Sequence, residues 1–295
     1  MRISSPANEK IKLVVQLQSK ASARRKQKMF VVEGIRMYEE IPKEDLMATY
    51  VSEAYYSEVI KAGKLSKEAK DNLALRDYYI VADSVFKNMS DTVTPQGILA
   101  IAKQKEYTLQ DILALNTSEE KNKGNAYIVL ESIQDPGNLG TIVRTAEGAG
   151  VAGIIMNKET VDIYNSKVIR STMGSVYRVP FMVTENLPET INELKNNNVT
   201  VFAAHLKGDE YYAKDLYKGN VAFLIGNEGN GLSDDIAKMA DKYVKIPMDG
   251  KVESLNASVA AAILMYEAKR QRESKKIHHY IRYILSIIIR KNVLN

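Results

Sequence analysis

The chain has 295 residues and no cysteine, which excludes disulfides and thiolate metal sites. Its 45% hydrophobic and 26% charged residues are the proportions of a globular protein with a sizeable core, and the length suggests two domains. The net charge of +5 is compatible with a nucleic-acid partner without demanding one, and three histidines argue against a protein-built zinc site.

Residues 1–12 lack the apolar run of a signal peptide, so a cytoplasmic chain is expected. Ile11, Val14, Val15 and Leu17 predict a helix over 8–19. Arg24, Arg25, Lys26 and Lys28 follow, a cluster able to neutralise phosphates and equally the pattern of a solvated loop. Residues 29–32 read as a strand before the Glu33-Gly34 turn, and 35–41 as a helix stopped by Pro42. Further strands are predicted near 47–51, at 78–81 and over 97–102, with a short helix capped by Asp83 or Ser84. This alternation predicts a small α/β unit over 1–105. Residues 106–125 are charged and carry Asn122, Gly124 and Asn125, so they read as a linker, interrupted by a helix around 109–115.

Residues 126–130 open a second unit with a buried-strand pattern. A loop over 131–140 leads to a helix over 141–149 and a strand at 153–156. A helix at 168–175 follows, then one at 187–196 with Pro188 in its first turn. Strands are predicted at 199–204, 221–225 and 243–246. A helix over 232–239 has Ser233 and two aspartates at its start, and a long helix covers 255–271. The pattern predicts a parallel sheet with helices on both faces, in a domain over 126–272. The tail 273–295 mixes Ile281, Ile284 and Ile287 with Arg282 and Arg290; its apolar stretch is too short to span a membrane, and it is left as an extension of unassigned role.

Three loops in this second unit look chemical. Gln134-Asp-Pro-Gly-Asn-Leu-Gly140 forces a turn, with Asn138 at the mouth of a helix as a cap or ligand contact and Arg144 six residues on. Leu224-Ile-Gly-Asn-Glu-Gly-Asn-Gly231 runs an apolar strand straight into three glycines around Glu228, where parallel α/β sheets bind ligands. Ile246-Pro-Met-Asp-Gly250, then Ser254-Leu-Asn-Ala-Ser258, lead into an alanine-rich helix that Ser254 or Asn256 can cap. By contrast, Gly148-Ala-Gly-Val-Ala-Gly153 closes a helix and opens a strand, the reverse of a dinucleotide fingerprint, so it reads as a turn.

These loops, in this order, resemble the three motifs of the SpoU (TrmH-like) RNA ribose methyltransferases of the SPOUT superfamily, over about 126–272. Ser5-Pro-Ala-Asn-Glu-Lys-Ile-Lys and Phe30-Val-Val-Glu-Gly resemble the substrate-binding domain often fused in front, which has a ribosomal-protein-L30e-like fold. The resemblance implies a deep trefoil knot in the C-terminal domain, S-adenosylmethionine as cofactor, no metal, and a homodimer formed through the knotted domain. It implies that Ala204, His205, Gly226, Ile246 and Leu255 hold the cofactor, and that Asn138, Arg144, Glu228, Ser254 and Asn256 form the catalytic set. Arg144 would anchor a phosphate and polarise the ribose hydroxyl, since arginine is a poor base in water. The target is RNA rather than DNA or a membrane, because the acceptor is a 2′-hydroxyl. Arg24, Arg25, Lys26 and Lys28 would then position that RNA through its phosphates. Ribosomal RNA of the large subunit is the expected substrate. A tRNA ribose methyltransferase and a non-catalytic RNA-binding factor of ribosome assembly are the other readings.

Overall fold

The computed structural model describes residues 1–115, 124–206, 208, 210–249, 251 and 254–273. The expected tail beyond residue 273 and most of the inner part of the linker therefore fall outside the described residues. The chain forms two compact units. The first comprises residues 1–107, 134–144 and 161–180; the second comprises 108–133, 145–160 and 181 onward. The first unit thus recruits two segments from beyond the expected N-terminal domain.

The first unit is built on a mixed five-stranded sheet in the order β1 (Arg2–Ile3), β4 (Tyr78–Val81), β3 (Leu46–Ser52), β5 (Ile98–Lys103), β2 (Met29–Glu33). β3 and β4 pair in parallel, whereas β5 runs antiparallel to both β3 and β2. A helix over Glu9–Ser19 starts where Asn8 Oδ1 accepts the Lys10 N–H at 3.0 Å, and it buries Ile11, Val14 and Leu17. That helical spacing puts the three on one stripe, which packs with Val31, Tyr50, Leu99 and Ile101 of the sheet. The basic run forms a second short helix, Ala21–Gln27, rather than a loop. The helix Asp83–Met89 forms as expected, but Ala82 occupies its cap position.

The second unit holds a wholly parallel seven-stranded sheet. Its order is β10 (Glu210–Tyr211), β12 (Lys242–Lys245), β9 (Val199–Ala204), β11 (Asn220–Ile225), β6 (Ala126–Leu130), β7 (Gly153–Asn157), β8 (Phe181–Thr184). β6 is buried at every residue, as a strand with both faces covered must be. The helix Leu187–Asn196 begins as the sequence predicts, with Pro188 in its first turn and Asn186 accepting the Glu189 N–H at 3.2 Å. A final helix covers 257–273. The helix Leu109–Ala114, expected inside a linker, belongs to this unit: a Cβ on Gly153 would lie 2.4 Å from Ile112 Cγ2, so strand and helix touch there at glycine distance. The parallel sheet and the small N-terminal α/β unit are both as expected from the sequence.

One boundary differs in a way that matters for chemistry. The helix expected over 141–149 runs over Pro136–Ala149, five residues longer at its start. Asp135 caps it, its Oδ1 accepting the Asn138 N–H at 2.8 Å, and Pro136 takes the first helical position, where a missing N–H costs nothing. The helix ends at Gly150, whose φ of +73° is the left-handed conformation of a helix stop. The glycine-rich stretch 148–153 is therefore a turn, as its order predicted.

Candidate functional site

In the second unit, three neighbouring parallel strands end side by side. β9 lies between β12 and β11, with Ala204 opposite Val244 and Ala203 opposite Leu224. The chain leaves them at Ala204-His205, Ile225-Gly226 and Lys245-Ile246, so four of the five expected cofactor residues converge on one edge by register alone. This is the carboxyl end of a parallel sheet, where such folds bind ligands. His205 is held by its N–H donating to the Val244 carbonyl at 3.0 Å, and its ring stacks on Tyr243 at 5.2 Å. Ala204, Gly226, Ile246 and Leu255 are half-buried.

The loop after β11 folds tightly on itself. Asn227 and Gly231 exchange backbone hydrogen bonds at 3.0 and 2.9 Å. Asn227 Oδ1 also accepts the N–H of Gly229 at 2.9 Å and of Asn230 at 3.2 Å. A Cβ on Gly226 would lie 2.0 Å from the Gly231 carbonyl carbon and 2.1 Å from the Leu232 nitrogen, so only glycine lets the backbone cross itself here. Glu228 sits at the exposed tip of this loop.

Sequence reasoning missed the residues that hold the loop in place. Asn227 Nδ2 donates to the Ser132 carbonyl at 2.8 Å. Asn157 Oδ1 accepts the Ser132 N–H at 2.8 Å, and its Nδ2 donates to Ser132 Oγ at 2.9 Å. Glu131 accepts both the Ser233 N–H, at 2.8 Å, and the Ser233 hydroxyl, at 2.7 Å. The ends of β6, β7 and β11 are thereby laced together. Polar residues at three strand ends were the available signal.

Before the last helix, Ser254 and Asn256 are exposed and Leu255 is half-buried. Asn256 is the cap: its Oδ1 accepts the Ser258 N–H at 2.9 Å and the Ser258 hydroxyl at 2.6 Å. In the first unit, Asn138 is half-buried and lies in the first turn of Pro136–Ala149, so it is not the cap, a role Asp135 fills. Arg144 lies two turns on, exposed, and its guanidinium makes no hydrogen bond or ion pair among the described residues. Gly140, between them, has a Cβ position only 2.3 Å from Ser171 Cβ. Its smallness serves contact with the helix Ser166–Thr172.

The basic cluster divides. Arg24 is 3% exposed, donates to the carbonyls of Leu17 and Gln18 at 2.7 and 2.9 Å, and pairs with Asp162 at 2.6 Å. It does not face solvent, so it is not placed to meet a phosphate, contrary to expectation. Lys28 is exposed but paired with Glu106. Arg25 and Lys26 are exposed with no side-chain partner among the described residues. The split follows from helix geometry, which turns adjacent side chains about 100° apart.

Among the described residues no cluster of His, Asp or Glu has metal-ligand geometry, and no helix is long and apolar enough to cross a membrane. Near the end of the last helix, burial lowers the Arg272 guanidinium to about 10 against the opposing influence of Tyr127. Arg272 donates to the carbonyls of Asn125 and Gly219 at 3.1 and 3.2 Å.

The profile of the SpoU rRNA Methylase family matches residues 125–266, and that of the MRM3-like substrate binding domain matches residues 8–100. The chain is 30% identical over 268 residues to the 23S rRNA (guanosine(2553)-2′-O)-methyltransferase RlmP of Bacillus subtilis (strain 168), covering 91% of this chain and 99% of that one. It is similar to the crystal structure of an AdoMet-bound rRNA methyltransferase from Sinorhizobium meliloti, with a TM-score of 0.76, 27% identity, and coverage of 92% of this chain and 97% of that one. A crystal structure of an RNA 2′-O ribose methyltransferase matches with a TM-score of 0.71 and 30% identity, over 92% of this chain and 99% of that one.

Proposed function

The chain belongs to the SpoU rRNA methylase family, and from that premise we propose that it transfers a methyl group from S-adenosylmethionine to a ribose 2′-hydroxyl of 23S rRNA. The observation that carries the reading is the likeness to a 23S rRNA 2′-O-methyltransferase over 99% of that relative's length. The domain plan that goes with it is a substrate-binding domain over 1–105, a linker over 106–125, a methyltransferase domain over 126–272 and an extension over 273–295. A knotted methyltransferase domain accords with the strand order, in which β12 returns beside β9 rather than at the sheet edge.

The ends of β9, β11 and β12 fit the cofactor. Half-buried Ile246 and Leu255 offer apolar surface for a planar base, and the self-crossing backbone at Gly226 offers polar groups at close range. S-adenosylmethionine supplies an already activated sulfonium methyl. The protein's task is then alignment of the acceptor hydroxyl and relief of its proton. Arg144 suits the anchoring of the adjacent phosphate and the polarising of the hydroxyl, because its fork is uncommitted among the described residues. Asn138, Glu228, Ser254 and Asn256 align the ribose, while Ala204 and His205 line the cofactor's side. Arg25 and Lys26 contribute phosphate contacts at the N-terminal segment. A homodimer through the methyltransferase domain is supported by Val259 and Tyr266, which lie one heptad apart on the last helix and are 45% and 50% exposed. The reading puts the protein in the cytoplasm, where rRNA is made and modified.

The test is methyl transfer by the purified chain to unmodified 23S rRNA and to tRNA, followed by ribose-methylation mapping. One methylated ribose in 23S rRNA is expected, and Arg144→Ala should lose it while changing stability by no more than about 0.5 kcal/mol. Methylation confined to tRNA, or none on either RNA, overturns the reading.

A further inference from the structure

Arg24 sits in a basic run, yet the structure buries it. Its guanidinium closes on Asp162 at 2.6 Å and on two carbonyls of the preceding helix. Asp162 also accepts the Tyr164 N–H at 2.9 Å, which sets the turn before the helix Ser166–Thr172. Tyr164 ties the same seam again. Its hydroxyl accepts the Lys105 N–H and donates to the Lys105 carbonyl, both at 2.9 Å, and its ring stacks on Phe30 at 4.6 Å. Asp91 accepts from Ser166 Oγ at 2.8 Å and from Arg170 Nη1 at 2.9 Å. Arg178 pairs with Glu40.

The ties of Arg24 to Asp162, of Tyr164 to Lys105 and Phe30, of Asp91 to Ser166 and Arg170, and of Arg178 to Glu40 all join residues 1–107 to 161–180 inside one compact unit. The helix they hold, Ser166–Thr172, is the one that meets Gly140 at 2.3 Å from its Cβ position to Ser171 Cβ, between Asn138 and Arg144. An unbroken chain of contacts therefore runs from Arg24 to the helix that carries Arg144. A buried ion pair contributes little net stability, because desolvation offsets its attraction; its best-attested use is to fix register.

We propose that Arg24 and Tyr164 are positioning residues, which lock the N-terminal segment to the Arg144 helix and so decide which nucleotide is methylated. The proposal rests on the RNA methyltransferase reading above. A rigid seam gives the docked RNA one distance to Arg144, whereas a loosened seam presents neighbouring riboses as well. A misplacement of about 1 Å costs on the order of a hundredfold in rate.

The test uses the full chain with Asp162→Asn, Arg24→Lys and Tyr164→Phe. Cofactor affinity by calorimetry should stay within about twofold, and kcat on 23S rRNA should fall by about tenfold to a hundredfold with a smaller change in KM. The methylation map should spread to adjacent nucleotides. The absence of native cysteine allows spin labels at Lys26→Cys and Lys167→Cys without background, and their distance distribution should broaden in each variant. Tyr164→Phe keeps the ring on Phe30 and removes only the hydroxyl, so it serves where a charge variant does not fold. A folded variant with the parent's kcat, map and narrow distances overturns the proposal. A parent that methylates no RNA overturns the methyltransferase reading instead.

Discussion

Replacing Gly226 with alanine should disable the loop after β11 while leaving the fold in place. The added Cβ would lie 2.0 Å from the Gly231 carbonyl carbon, 2.1 Å from the Leu232 nitrogen and 2.3 Å from the Gly231 oxygen. All three are backbone atoms, so no side chain can swing aside. Restoring ordinary contact needs a shift of well over 1 Å, about the gap to a normal 3.5 Å approach. That shift breaks the two Asn227–Gly231 hydrogen bonds. Overpacking of about 1–3 kcal/mol and two hydrogen bonds of about 1 kcal/mol each give about 3–5 kcal/mol against the closed loop. If cofactor binding needs that loop, affinity should fall more than about a hundredfold. The loop supplies its own control. Gly229 has only Asn227 Oδ1 near its Cβ position, at 3.4 Å, so Gly229→Ala should bind like the parent. Gly231 meets nothing within 4 Å but has a φ of +70°, so its alanine variant should fall between, with a strain of about 1–2 kcal/mol. Calorimetric titration of S-adenosylmethionine into the three variants, beside their thermal unfolding, measures the ranking. Equal affinity for Gly226→Ala and Gly229→Ala would refute the reasoning.

Asp135→Ala should remove the cap of Pro136–Ala149 and cost about 1 kcal/mol in chemical unfolding, while lowering activity through the displaced first turn that holds Asn138. The double variant Arg25→Ala/Lys26→Ala should reduce the salt dependence of RNA binding by a slope of about 1.4–1.8 with unchanged stability, measured by filter binding at several salt concentrations. Arg24→Ala should instead destabilise the fold by about 1–3 kcal/mol, because it leaves half-buried Asp162 without its guanidinium and the Leu17 and Gln18 carbonyls without their donor. Burial, with a smaller contribution from Tyr79, pushes the Tyr50 hydroxyl up to about 12. The unfolded chain releases that proton near pH ~10, so this stability is complete below pH ~10 and is lost as the pH rises through about 12. Tyr50→Phe should lessen the alkaline loss, read as a smaller drop in urea midpoint between about pH 9 and about pH 11; an identical drop would count against it.

Short-range chemistry was legible without coordinates. The buried run of β6, the proline-started helix Leu187–Asn196 and the turn at Gly150 depend on residues within a few positions of one another. The same holds for the three loops at strand and helix ends, whose order carried the family resemblance. Short-range chemistry also held the signal for the Asp135 cap and Pro136 start, although the reading placed that helix late. Other features had no local signature. The antiparallel return of β5 between β3 and β2 depends on strands tens of residues apart. The brace of Asn157 and Asn227 on Ser132 joins three loops that the sequence keeps separate. Most tellingly, Arg24 and Arg25 are adjacent basic residues that sequence alone cannot distinguish. One is sealed against Asp162, 138 positions away, and the other faces water. A residue's type and neighbours set its local conformation and its chemical capacity. Whether a charge meets solvent or a distant carboxylate depends on long-range packing, which only the tertiary structure decides.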